Sequence, residues 1–324
     1  MGLFTEAYYV SVMAWRSFFP NGKFKAEHVP DLAGRVIIVT GGNVGIGRET
    51  IKVLLQRNAR VYMASRNRDK AEAAIKRLKD ETGKDAIFLE LDLGSLASVR
   101  KAASEFLSKE PELHVLFNNA GVMGPPIDEL TAEGFDLQFG TNVIGHFLFT
   151  ELLMPALLAG AQSSPDHHAR VITTSSSGAM LGGIDLDSVR DGPARRRYSK
   201  ESLYGQSKLG NVIVAREVAK RYGGKGIVSI SLDPGNIETD LQRYYIGLPG
   251  LAGALTKVIV KLMLHPAPFG ALTQLWAGTT PEAIDHNGKY AVPTARIAPC
   301  RAEAYDDELG QKVWSFLEET VKEA

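Results

Sequence analysis

Tyr204 and Lys208 stand four residues apart at the start of a stretch of helical composition. Residues at that spacing share one helical face. A phenol ordinarily releases its proton near pH 10, too high for efficient transfer at neutral pH. A neighbouring ammonium and an oxidised nicotinamide, both positive, favour the phenolate and lower that value. Tyr204 could then give a proton to a carbonyl oxygen while a hydride arrives at the carbon. Alone, a Y-x-x-x-K match is frequent by chance.

A second set of residues could hold such a cofactor. The run Thr40-Gly41-Gly42-Asn43-Val44-Gly45-Ile46-Gly47 follows a β-branched segment and leads into a helical one. A dinucleotide pyrophosphate needs main-chain N–H groups at a helix N-terminus, with no side chain blocking approach. Gly41, Gly45 and Gly47 meet that need in a T-G-x-x-x-G-x-G spacing. A tight packing turn without ligand is the competing reading. The end of the second apolar run offers Ser65-Arg66-Asn67-Arg68, with no acid before Asp69. An acid there would bind ribose hydroxyls, whereas an arginine accommodates a 2′-phosphate. Arg66, with Arg48 just beyond the glycines, therefore favours NADP(H) over NAD(H). Arg68 reads equally as a solvated residue at a helix start. Thr173-Thr174-Ser175-Ser176-Ser177-Gly178 would place hydroxyls at the ligand edge of a sheet. One of these serines could hold a substrate carbonyl oxygen, and three in a row leave the register open. No G-x-S-x-G elbow surrounds them, which excludes a serine-nucleophile reading.

These residues need a scaffold, and the chain can build one. It has 324 residues, 37 Lys plus Arg against 37 Asp plus Glu, 44% hydrophobic and 23% charged residues, the composition of an ordinary globular domain. The balanced charge argues against a nucleic-acid partner. Cys300 is the single cysteine, so no intrachain disulfide can form, and the seven histidines show no ligand spacing, so no metal is expected. No run reaches the roughly 18 apolar residues of a membrane span. A soluble, cytoplasmic protein is the expectation. Residues 1–30 read as an extension. Phe4, Tyr8, Val12, Trp15 and Phe19 recur at helical spacing, for packing on the domain or a partner subunit, or for peripheral membrane contact through residues 1–19.

From residue 35 short apolar runs alternate with helical patterns. Strands are expected over 35–40, 61–65, 86–91, 113–117, 171–175 and 227–232. Helices are expected over 48–58, 68–79, 95–108, 134–158 and 199–222. Such alternation requires parallel pairing with helices on both faces, a single doubly wound α/β domain over 31–300. After Pro234 the alternation lapses. Residues 240–270, with Tyr244, Tyr245 and Phe269, read as a C-terminal substrate lid, or else as a subunit contact or surface loop. Residues 301–324 read as a C-terminal helix.

Taken together, the motifs resemble the short-chain dehydrogenase/reductase family over roughly residues 31–295. They are Thr40 to Gly47, Leu91-Asp92-Leu93, Asn118-Asn119-Ala120-Gly121, Asn142, the serine run, Tyr204-x-x-x-Lys208 and Pro234-Gly235. The segments 91–96, 141–150 and 207–211 look like the retinol-dehydrogenase-like branch, and the leading sequence looks like its fungal members. Asp233 departs from that branch, which often has His there. The resemblance implies a Rossmann fold and a tetrad of Asn142, Ser176, Tyr204 and Lys208. Tyr204 would be the acid/base and Ser176 would hold the carbonyl oxygen. Lys208 would bind nicotinamide-ribose hydroxyls, and Asn142 would hold a proton-relaying water. Asp92 would reach the adenine amine, Asn119, Ala120 and Gly121 would line the adenosine ribose, and Ile237 and Thr239 would meet the carboxamide. With Asn43, Ile46, Leu93, Arg66, Pro234 and Gly235, these complete the expected NADP(H) site. The expected reaction interconverts a carbonyl and an alcohol on a hydrophobic substrate, such as a terpenoid, polyketide, steroid-like or aromatic carbonyl. A broad carbonyl reductase and a non-catalytic NADP(H)-binding regulator are the rival readings. The resemblance also implies a homodimer, through the apolar faces of the helices from Gly134 and Ser199.

Overall fold

The computed structural model describes residues 8, 9, 11, 12, 22–238 and 264–323. The helix expected over 1–19, most of the lid expected over 240–270, and Thr239 lie outside the described residues.

The sheet follows from strands too apolar to face water. In β1 (Val36–Thr40) four of five residues are buried, and β4 (Val115–Asn118), β5 (Ala169–Thr174) and β6 (Ile227–Leu232) are buried throughout. Strands buried on both faces read as continuous apolar runs and need helices above and below. With β2 (Arg60–Ser65), β3 (Ile87–Glu90), β7 (Tyr290–Val292) and β8 (Arg296–Ile297) they form one sheet in the order β3-β2-β1-β4-β5-β6-β7-β8. All neighbours pair in parallel except β7 and β8, which are antiparallel. The order reverses between β1 and β4, and ligands of open α/β sheets bind in the crevice at that point. Register aligns Val39 with Phe117 and Phe117 with Ile172, so the carboxyl ends of β1, β4 and β5 meet there.

Successive side chains of a strand point to opposite faces. Ile38, Tyr62, Leu116 and Val171 enter one core layer, with Phe147 and Leu209. Ile37, Val39, Met63 and Phe117 enter the other, with Leu54 and Leu275. Helices α1 (Gly45–Gln56), α2 (Arg68–Thr82), α3 (Leu96–Leu107), α4 (Leu137–Ser163), α5 (Lys200–Tyr222), α6 (Ala267–Thr279) and α7 (Asp307–Glu323) supply these layers. The apolar length of α4 is used inside the protein: its most apolar window has a mean hydropathy of 1.6 and is 72% buried.

The structure corrects the sequence reading at several places. The first glycine-loop helix begins at Gly45, not at residue 48, so Gly45 and Gly47 lie within its first turn. Helix α4 begins at Leu137 because the Asp136 carboxylate accepts from the Gln138 and Phe139 N–H groups and caps it, while Gly134 turns with a φ of +79°. Alternation does not lapse after Pro234: α6 and β7 add a further unit. Helix α6 is buried on nearly all sides and so shows no amphipathic period, and β7 has three residues, too few for a pattern. Residues 267–270 are scaffold, not lid. A Cβ on Gly270 would come within 2.8 Å of Ile237 and 2.9 Å of Ile46.

Helix α7 lies over α4 and α5. Its Trp314 meets Phe147 edge-on at 5.0 Å, and the Arg221 guanidinium sits 4.2 Å over the same indole. Asp307 pairs with Arg216 and Lys220. Part of the apolar surface expected to form a homodimer is therefore covered by the chain's own last helix.

Candidate active site

The carboxyl edge of β1, β4 and β5 gathers the chemistry-bearing residues. At the end of β1, the Thr40 hydroxyl accepts from the main-chain N–H groups of Asn119 and Ala120, each at 2.9 Å. The Asn119 side chain returns a hydrogen bond to the Thr40 carbonyl at 2.8 Å. The glycine loop and the loop after β4 are thus tied together. A Cβ on Gly47 would stand 2.4 Å from the Gly41 oxygen and 2.6 Å from Asn119 Nδ2, and one on Gly41 would stand 3.0 Å from Ala120 Cα. Gly41 and Gly47 are required by this self-packing as much as by any ligand.

Helix α1 then presents an uncapped N-terminus. Its N-cap is Val44, which supplies no side-chain acceptor, whereas Asn67, Ser95 and Ser199 cap α2, α3 and α5. The first-turn N–H groups of α1 have no intrahelical partner and suit an anion. At the end of β2, Ser65 Oγ is buried with no partner among the described residues. Arg66 follows it, exposed, with no ion pair among the described residues. Arg48 differs from the sequence reading: it is paired with Glu49 and Glu81. Arg68 pairs with Glu72 and Glu90 and lies 4.6 Å over Phe88. Of the three arginines at this edge, Arg66 alone is unspent.

At the other end of the crevice, α5 carries Tyr204 and Lys208. Lys208 is buried, and its Nζ donates to the Thr174 carbonyl at 2.9 Å. An ammonium has three donors, and among the described residues Thr174 takes one and no other acceptor is bonded. Burial pushes its pKa from 10.5 down to about 8. Nζ stands 5.8 Å from the centre of the Tyr204 ring. A Cβ on Gly121 would fill the space 3.5 Å from Lys208 Nζ and 3.1 Å from Asn142 Oδ1. These unspent donors and small residues fit the hydroxyls of a ribose.

Hydrogen bonding distinguishes Ser175 from Ser176. Ser175 is turned inward, and its hydroxyl donates to the Lys208 carbonyl at 2.7 Å. Ser176 Oγ accepts from the Gly178 N–H at 3.1 Å. The Cβ position of Gly178 lies 3.1 Å from the Tyr204 ring and 3.5 Å from Ser176 Oγ, so both flank one spot. The Tyr290 hydroxyl donates to the Ser176 carbonyl at 3.0 Å. No sequence signal marked Tyr290, since its strand is too short to show a period.

Asn142 sits in a π-helical turn of α4, Gly140–Gly145, a distortion common at functional sites. Both polar atoms of its side chain are hydrogen-bonded. Oδ1 accepts from the Val122 N–H, and Nδ2 donates to the Val122 carbonyl and to Ser207 Oγ. Its main-chain carbonyl is engaged as well. That oxygen lies 3.1 Å from His146 Nδ1, and His146 Nε2 lies 2.9 Å from Thr40 Oγ1. Burial lowers the His146 pKa from 6.5 to about 4, so the ring is neutral. Nδ1–H then donates to Asn142, and Nε2 accepts from Thr40. His146 is thus a link the sequence reading missed: nothing in its local pattern separates it from an ordinary core histidine.

Among known proteins, a family model described as short chain dehydrogenase matches residues 35–187. A short-chain dehydrogenase/reductase from the fungus Armillaria gallica is 54% identical over 306 residues, spanning 94% of this chain and 96% of that one. The chain belongs to the short-chain dehydrogenase/reductase family. A solved structure of an uncharacterised Mycobacterium paratuberculosis protein is similar to this dehydrogenase/reductase with a TM-score of 0.72 and 30% identity, over 93% of this chain and 98% of that one. RhlG of Pseudomonas aeruginosa, solved as an active-site complex with NADP, is similar with a TM-score of 0.63 and 26% identity, over 82% and 96%.

Several further expected residues of the dehydrogenase/reductase, among those described, line the same edge or support it. Asp92 Oδ1 accepts from the Gly94 N–H at 2.9 Å. Gly235 turns with a φ of +90°, and its N–H donates to Asp233 Oδ1 at 2.9 Å, which accounts for the acid before Pro234. Ile237 is buried and bridges to His265. Asn43 and Val44 stand at the mouth of a cleft toward α2. Among the described residues no group of His, Cys, Asp and Glu could hold a metal ion.

Proposed function

We propose that this dehydrogenase/reductase uses NADP(H) to interconvert a ketone or aldehyde and its alcohol on a hydrophobic small molecule. The observation that carries the reading is the buried Lys208 ammonium, with donors unspent, beside Tyr204 and Ser176. The first-turn N–H groups of Gly45, Ile46 and Gly47 would hold the pyrophosphate and Arg66 the 2′-phosphate. Asp92 and Leu93 would border the adenine, and Ile237 and Thr239 the carboxamide. When bound, the cofactor supplies the hydride in reduction or accepts it in oxidation. The NADP complex of RhlG supports the choice of cofactor.

The chain's own residues handle the proton and the geometry. Ser176 orients the carbonyl oxygen. Tyr204 gives its phenolic proton to that oxygen in reduction and takes it back in oxidation. The positive Lys208 favours the phenolate that remains. Asn142 locks the loop at Val122 against Ser207, whose hydroxyl donates to the Tyr204 carbonyl at 2.8 Å, and so fixes the turn bearing Tyr204. Orientation of the reacting groups and proton transfer by Tyr204 would supply the rate. Consumption of NADPH against a panel of apolar ketones and aldehydes tests the reading. Turnover of at least one is expected, and binding of NADPH without turnover of any would favour a non-catalytic regulator.

A further inference from the structure

Arg301, in the segment after β8, is among the largest side chains that the fold buries completely. A guanidinium keeps its charge in a protein, so a buried one must be paired and hydrogen-bonded. Glu303 supplies the pair: its two carboxylate oxygens accept from Nε at 2.8 Å and from Nη2 at 2.7 Å. A fork of this kind fixes the plane of the guanidinium. Nη1 then donates to the Met180 carbonyl at 3.0 Å. Tyr9 of the N-terminal extension completes the arrangement. The guanidinium stands 5.1 Å over its ring, and its hydroxyl accepts from the Ala302 N–H at 3.1 Å.

Met180 closes the short loop that Ser176 opens. Tyr290 grips the other end of that loop through the Ser176 carbonyl. The loop also packs on α5: a Cβ on Gly205 would stand 2.4 Å from the Leu181 oxygen and 3.0 Å from the Gly178 oxygen. Gly178, between the two gripped carbonyls, borders the Tyr204 ring. The seat of residues 176–181 therefore sets where Ser176 stands relative to Tyr204, and Arg301 holds one end of that seat.

We propose that Arg301 is a positioning residue for Ser176, and that Tyr9 steadies Arg301, so that the N-terminal extension takes part in turnover. The proposal rests on the carbonyl–alcohol reading above. Lysine cannot reproduce the fork to Glu303, so Arg301→Lys loosens the grip on Met180 and keeps the charge.

Steady-state kinetics with NADPH and the best carbonyl of the panel, with hydrogen–deuterium exchange across residues 176–181, test it in the full chain. Arg301→Lys should lower kcat about 10-fold, the equivalent of one hydrogen bond, and leave NADPH affinity within about two-fold. Tyr9→Ala should lower kcat in the same direction and by less, and it carries the test if Arg301→Lys fails to fold. Both should speed exchange across 176–181. In a Ser176→Ala background Arg301→Lys should cost no further turnover, because its effect passes through Ser176. The same loss in both backgrounds would overturn the assignment. So would unchanged kcat in the folded variants, or unchanged exchange across 176–181. If the unaltered protein turns over no carbonyl, the reading of the reaction fails and the positioning role with it, while exchange across 176–181 still decides whether Tyr9 and Arg301 seat the loop.

Discussion

Lys208 is buried, its Nζ donates to the Thr174 carbonyl at 2.9 Å, and this contact fixes a buried ammonium of the crevice at the end of β5. The cost of burial is visible in its pKa of about 8, against 10.5 ordinarily. Below pH 8 the group is charged in both folded and unfolded chains, and the folded state bears a penalty on the order of 3 kcal/mol. Between pH 8 and 10.5 the folded chain releases the proton and the unfolded chain keeps it, so stability rises with pH. Lys208→Met, which keeps the volume and removes the charge, should raise the melting temperature of the cofactor-free protein below pH 8. That gain should shrink toward pH 10.5. Calorimetric melting across this range checks it, and a variant less stable than the parent at pH 7 would contradict it.

His146 acts in the same sense at acid pH. Its folded pKa of about 4 lies below the ordinary 6.5. Above pH 6.5 the ring is neutral in both states and titration contributes nothing. As pH falls from 6.5 to 4 the unfolded chain takes a proton that the folded chain refuses, and stability is lost, on the order of 3 kcal/mol in full. His114, also lowered by burial, adds to this limb. His146→Gln keeps a donor and an acceptor for Asn142 and Thr40 without the titration. Urea midpoints measured from pH 7 to 4 should fall less steeply in the variant, and identical slopes would rule out the buried neutral ring.

Trp314 carries the attachment of α7. It is buried against Phe147 and under the Arg221 guanidinium. Trp314→Ala should cost about 3–5 kcal/mol of stability by urea denaturation, the usual range for a large aromatic removed from a core. A loss under 1 kcal/mol would mean that α7 is not part of the core as described.

The legible parts of this molecule were those in which chemistry is local. The glycine loop, Arg66, and the Tyr204–Lys208 pair lie within single elements, so spacing alone places them at strand ends or on one helical face. The strands β1 to β6 were legible because each is a short segment rich in apolar and β-branched residues between turn signals. Contacts made across the fold were not. Whether Ser175 or Ser176 faces Tyr204 depends on which hydroxyl meets the Lys208 carbonyl. Arg48 looked available for a phosphate because Glu81, 33 residues away, is invisible as its partner. His146 and Tyr290 act through main-chain atoms of Asn142 and Ser176, and a sequence carries no mark of that.

The central claim is that Tyr204 moves the proton, and Tyr204→Phe tests it most directly. With the best carbonyl of the panel, the variant should lose about 100-fold or more in turnover while binding NADPH as the unaltered protein does. Turnover within a few-fold of the unaltered protein would contradict the account and move the acid/base role elsewhere in the crevice.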